Sequence, residues 1–104
     1  MVAESYKHVS IIPGGAGEWS DPVKVPEGRR VHFSVFGTLT ATLELQIRFR
    51  FSKADDWRTW VSVTAETEQS FLAVVDLEIR VGASAYTSGS PLVEARVSGN
   101  RANA

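Results

Sequence analysis

The sequence predicts an all-β fold, an antiparallel β-sandwich of jelly-roll or immunoglobulin-like type with about seven to eight short strands. Three observations predict it. Residues 39–51 alternate, with Leu39, Ala41, Leu43, Leu45, Ile47, Phe49 and Phe51 at odd positions against Thr40, Thr42, Glu44, Gln46, Arg48 and Arg50 at even ones. Successive side chains of a strand point to opposite faces, so this run sets both the backbone state and the direction of the core. Turn signals recur about every eight to twelve residues, the spacing of a sandwich or barrel. No stretch combines helix-length amphipathic spacing with caps.

Each element follows from its residues. Residues 8–12 read as a first edge strand, stopped at Pro13-Gly14-Gly15, where proline fixes its own φ and glycine opens conformations closed to other residues. Asp21-Pro22 and Pro26-Glu27-Gly28 flank Val23-Lys24-Val25, and prolines this frequent belong to a sandwich margin because each removes a ladder donor. Residues 30–36 alternate again, with Val31, Phe33 and Val35 on one face, and Gly37-Thr38 predicts a hairpin into the long strand. A polar turn over 52–56 precedes a strand near 59–64, and Glu66-Thr67-Glu68-Gln69 reads as a loop. Phe71, Ala73 and Val75, then Leu77, Ile79 and Val81, predict two strands or one bent strand. Residues 83–91 are rich in turn formers, and Val93, Ala95 and Val97 mark a last strand. The organisation expected is a flexible arm at 1–7, one domain at 8–98 and a disordered tail at 99–104. The core face expected joins Leu43, Leu45, Ile47 and Phe49 to Val31, Phe33, Val61, Ile79 and Val97.

Composition narrows the function classes. The 104 residues are 43% apolar and 22% charged with a formal net charge of −1, which offers no basic field to nucleic acid or an anionic membrane. Without cysteine there is neither a disulfide framework nor a thiolate ligand. No apolar stretch approaches the roughly 20 residues of a membrane helix, and the first ten residues lack the apolar region of a signal peptide.

The chemistry-bearing residues form no catalytic set. His8 and His32 sit in no metal-ligand spacing, no Gly-x-Ser-x-Gly elbow is present, and the glycines of 13–17 lack the Lys-Ser/Thr ending of a phosphate cradle. Asp55, Asp56, Glu27, Glu66 and Glu68 meet the spacing of no calcium motif and read as solvated loop acids. The expectation is a protein with no catalytic residue, no metal and no cofactor. Trp60 is expected to plug one end of the core, whereas Trp19 and Trp57 are the candidate interface or ligand-contact residues, because indole faces anchor protein interfaces and stack on sugars.

Four segments carry a family resemblance: Gly17-Glu18-Trp19-Ser20-Asp21-Pro22-Val23, the run from Val35 through Gly37-Thr38 to Leu43, residues 51–60 with Trp57 and Trp60, and Ala85-Tyr86-Thr87-Ser88-Gly89-Ser90-Pro91. In order and kind they resemble the small β-sandwich structural proteins of tailed bacteriophages. Where that family reads like Asp-Gly-Gly ahead of Thr-Trp, this chain has Asp56 and an intervening Arg58, so Trp60 alone carries over, as a structural tryptophan. The resemblance implies a virion component that decorates the capsid or sits in the head-to-tail or tail region. Its partners would be other virion proteins (capsid, portal or tail) and copies of itself, and its place the virion, assembled in the bacterial host cytoplasm. The alternative class is a carbohydrate-binding module or adhesin domain that uses exposed Trp57 or Trp19.

Overall fold

Odd-numbered apolar residues point inward on nearly every strand, and that shared phase lets eight short segments close over one core. The computed structural model describes residues 7–49 and 56–98. Its strands are β1 (Lys7–Ile11), β2 (Val23–Val25), β3 (Arg30–Phe36), β4 (Leu39–Phe49), β5 (Arg58–Val63), β6 (Thr67–Leu72), β7 (Leu77–Gly89) and β8 (Leu92–Val97). Of the arm expected at 1–7, only Lys7 is described, and it opens β1. The tail expected at 99–104 and most of the turn expected at 52–56 lie outside the described residues.

Two antiparallel sheets of four strands result, sheet A in the order β1-β8-β3-β6 and sheet B in the order β2-β7-β4-β5. The pairs β1–β8, β2–β7, β3–β6 and β4–β5 nest one inside another, as if a long hairpin folded at β4–β5 had been rolled up. That nesting is the jelly roll, and it decides between the two sandwich types expected. Val31, Phe33, Val35, Leu43, Leu45, Ile79, Val81, Val93 and Ala95 are completely buried between the sheets. Of the core face expected, Val97 is also buried, while Ile47 and Val61 pack partly exposed against it. Phe49 is a correction, being 41% exposed. The pairing of β4 with β5 stops at Ile47–Arg58, so among the described residues Phe49 has the β7 residue Leu77 as its one cross-strand neighbour.

The β3–β4 hairpin is a second correction, since the two strands lie in different sheets. A two-residue hairpin would pair Phe36 with Leu39 and set inward Val35 beside outward Thr40, a register that conflicts with the alternation of both strands. Gly37 instead carries the chain across at φ 114°, where a Cβ would stand 3.0 Å from the Ser90 carbonyl oxygen. The Ser90 N–H donates to the Thr38 carbonyl at 3.0 Å and so stitches this crossing to the one from β7 to β8.

Residues 66–69, expected as a loop, contain the start of β6. Thr67 and Gln69 pair with Val35 and Phe33, while Glu68 faces solvent as an edge strand with one wet face allows. The apolar residues of 71–81 resolve into two strands, one in each sheet. Residues 83–91, expected as a turn region, continue β7 as far as Gly89. The small residues there answer a close approach instead of a turn. Residues 17–20 run on from the line of β2 along the edge of β7, with the Gly17 N–H donating to the Ala83 carbonyl, Ala83 N–H to Glu18, and Ser20 N–H to Val81 at 2.8–3.1 Å. A Cβ on Gly82 would fall on the Glu18 carbonyl oxygen and 2.6 Å from Trp19 Cε3.

Candidate functional site

The two outer faces of the sandwich are built differently, and the difference begins at Trp60. Leu45 pairs with Val61 but Gln46 pairs with Thr59, so β5 carries one residue more than β4 and bulges there. The extra residue resets the phase of the strand. Trp60 packs against the core, its ring 4.7 Å from that of Phe71, while Thr59 and Trp57 reach the outer face of sheet B. Trp60 thus packs against the core as expected, but partly exposed and between the edge strands β5 and β6 instead of at one end.

On that outer face the Arg80 guanidinium carbon lies 4.6 Å from the ring centre of Trp19 and 4.5 Å from that of Trp57, and Arg48 lies 4.5 Å from Trp57. Each guanidinium is also held from the side. Arg80 donates Nε and Nη2 to Gln46 Oε1 at 3.0 and 2.8 Å, and Arg48 donates Nε and Nη2 to Glu78 Oε1 at 3.1 and 2.6 Å. Beneath them Glu44, 8% exposed, accepts from Thr59 Oγ1 at 2.7 Å and Gln46 Nε2 at 3.1 Å. Burial pushes its carboxyl up, but hydrogen bonds from Ser84, Thr59 and Gln46 together outweigh this and hold it below the ordinary glutamate value. Burial, and then the charge of Arg48, lower the pKa of Arg80. Trp19 and Trp57, the two expected contact residues, are therefore brought together as half-buried parts of an indole–guanidinium layer over part of the outer face of sheet B. Arg48, Gln46, Glu78 and Arg80 were not singled out in the sequence. Their even positions were the signal, but only the β4–β7 register shows that they meet.

Among the described residues the outer face of sheet A carries no such cover, and its side chains fall into rows across the strands. At one end Phe36 pairs with Leu92, and Ile12 follows directly on the Ile11–Val93 pair; the three are 46%, 38% and 61% exposed. The next row holds Ser10, Glu94, Ser34 and Glu68, and the one after it His8, Arg96, His32 and Ser70. Arg30 and Leu72 close the far end. Neighbouring rows touch, with His8 Nε2 2.5 Å from Glu94 Oε2, Arg96 Nε donating to Glu94 Oε1 at 2.8 Å, and His32 Nε2 3.2 Å from Glu68 Oε1. Burial raises the Glu94 pKa, yet the hydrogen bonds and charges of His8 and Arg96 leave it below the ordinary value. Glu66 stands at the apolar end, where it accepts the Gly37 N–H at 2.8 Å. Both histidines are thus cross-strand partners of glutamates.

Among the described residues no three histidine, aspartate or glutamate side chains gather into a group that could hold a metal ion. No helix among them is long and apolar enough to cross a membrane. Comparison with protein-family models, curated proteins and solved structures gives no match.

Proposed function

We propose that the chain is a non-enzymatic structural protein of a tailed-bacteriophage particle, assembling with copies of itself and with other virion proteins at the capsid surface or in the head-to-tail and tail region. The observation that carries the reading is the outer face of sheet A, where among the described residues Phe36 and Leu92 are exposed as a cross-strand pair, with Ile12 exposed just past the end of β1, at the end of ordered rows of charge. Clustered apolar residues rimmed by charge mark protein–protein contact surfaces. The resemblance of the segments around Trp19, Gly37 and Tyr86 supplies the phage context, and the jelly roll recurs in viral capsid and lectin domains alike. Fold alone does not choose between those, and the packing of the tryptophans favours the structural reading. A carbohydrate-binding module or adhesin would need open indole faces, and the rings of Trp19 and Trp57 carry the guanidinium groups of Arg48 and Arg80 instead.

The test is the composition of purified particles. Quantitative mass spectrometry of density-purified virions from the infected host is expected to find the chain in a fixed ratio to the capsid, portal or tail proteins. Absence from the particles, together with binding on a glycan array that Trp57→Ala abolishes, would replace the structural reading with the carbohydrate-binding one.

A further inference from the structure

We infer that the outer face of sheet A docks a second copy of this chain, face to face, about a two-fold axis that lies across the strands between the glutamate row and the histidine row. The inference deepens the assembly reading and rests on it for its biological setting.

The argument is the division of charge along the strands. One half of the face holds the carboxylates of Glu66, Glu68 and Glu94; the other holds the guanidinium groups of Arg30 and Arg96 and the imidazoles of His8 and His32. A two-fold axis between the halves turns the acidic half of one copy onto the basic half of the other, and does so twice, as an isologous interface requires. Glu94 then meets Arg96 of the second copy while it keeps Arg96 of its own, so docking extends the existing pairs into an alternating array, and the same rotation lays the row of Phe36 and Leu92 over the row of Arg30 and Leu72, an aromatic–guanidinium contact. The competing arrangement, with the axis along the strands, sets the glutamate row on a glutamate row and is repulsive.

Size sets the strength. Four strands at about 4.8 Å spacing and rows spanning about 20 Å give a face on the order of 400 Å² per copy, about 800 Å² in total, below the roughly 1,200–2,000 Å² of stable specific interfaces and in the range of a weak, transient contact. The dimer is accordingly weak alone and suited to a lattice in which many contacts act together.

Sedimentation equilibrium of the full chain up to about 1 mM, a concentration that reports weak association, tests this. The wild-type protein is expected to show a monomer–dimer equilibrium that weakens as salt is added. Glu68→Lys and Arg30→Glu, both at exposed positions, should each weaken it by about tenfold or more through like-charge contact. An equimolar mixture of the two variants should regain the dimer, since each altered half then faces its new complement. A wild-type chain that stays monomeric, or a dimer indifferent to salt and to both substitutions, overturns the proposal; if a variant misfolds, the salt dependence of the wild type decides. A chain present in particles yet monomeric at that concentration sinks this face and leaves the assembly reading. A rescued dimer of a chain absent from particles does the reverse.

Discussion

At Glu44 a carboxylate is held almost without exposure on what is nominally the solvent side of a sheet, and its neighbours explain why it is tolerated. Three donors, from Ser84, Thr59 and Gln46, bind its charged form, and among the described residues no buried side-chain polar atom lacks a partner. Hydrogen bonds to a charged group contribute a net of about 1.5–3 kcal/mol each, and such contributions are not additive when they share one carboxylate. The sign of its pH dependence follows from its lowered pKa. A carboxyl whose folded value lies below its unfolded value of about 4.3 stabilises the fold above that pH, and the stabilisation is lost as pH falls through the folded value. Replacing Glu44 with Gln should therefore cost about 1–3 kcal/mol at pH 7. The difference from wild type should shrink as the solution is taken below about pH 4. Urea denaturation of both proteins at several pH values measures this, and a gap that is constant with pH would mean the carboxylate is not held in its charged form. Gln46 belongs to the same group. Its alternation marks it as an outward residue, which it is, but it joins Glu44 to Arg80 and is no free surface side chain.

Among the elements, β5 shows how one inserted residue redirects chemistry. An unbroken strand would send Trp57 inward with Val61, both at odd positions; the bulge at Trp60 sends Trp60 inward and Trp57 onto the guanidinium layer. Trp60→Ala should thus leave a cavity beside Phe71 and cost about 2–4 kcal/mol, whereas Trp57→Ala loses mainly its contacts with Arg48 and Arg80, about 1 kcal/mol. Equal losses in chemical denaturation would show that the bulge does not separate the two roles. The bulge also marks the edge of what the sequence makes legible. The facing of β3, β7, β8 and most of β4 was readable because a period of two survives any choice of partner. Which strands pair is set by contacts between distant residues, so the β3–β4 crossing and the meeting of Arg48 with Trp57 were not readable. Residues 83–89 misled for a further reason. Glycine, alanine and serine suit a turn and a crowded strand equally, and only the passage of residues 17–20 over Gly82 tells the two apart. For the sites, the sequence marked Trp19 and Trp57 as contact residues but gave no sign of their packing on Arg48 and Arg80, and the rows of sheet A depend wholly on register.

For the whole molecule the jelly roll means that the first strand and one near the end of the chain close the same sheet. β1 pairs with β8 along five residues, from Lys7–Val97 to Ile11–Val93, and Val9 is buried by the contact while Ile11 packs against the core. Such pairing joins residues at nearly the full sequence separation, so β1 adds to a sheet whose other strands already hold one another, and it sits at the edge of that sheet. An edge strand of this kind is separable. Deleting residues 1–11 removes two apolar side chains from the core and bares the edge of β8, a loss of about 3 kcal/mol or more at about 1.5 kcal/mol or more per buried Val or Ile. At about 4–8 °C per kcal/mol for a domain of this size, the melting temperature should fall by roughly 12 °C or more. Because the vacated site offers both the ladder groups of β8 and the pockets for Val9 and Ile11, a synthetic peptide of residues 1–13 added in excess should bind by strand addition and raise the melting temperature back toward that of the full chain. Scrambling the order of residues 7–11 in the peptide should abolish that recovery, since a one-residue slip sends His8 and Ser10 toward the core. A truncated chain that melts with the full-length protein would mean that the roll does not depend on β1 for closure. A truncated chain that the scrambled peptide rescues as well as the native one would mean that the β1–β8 register is not what holds it.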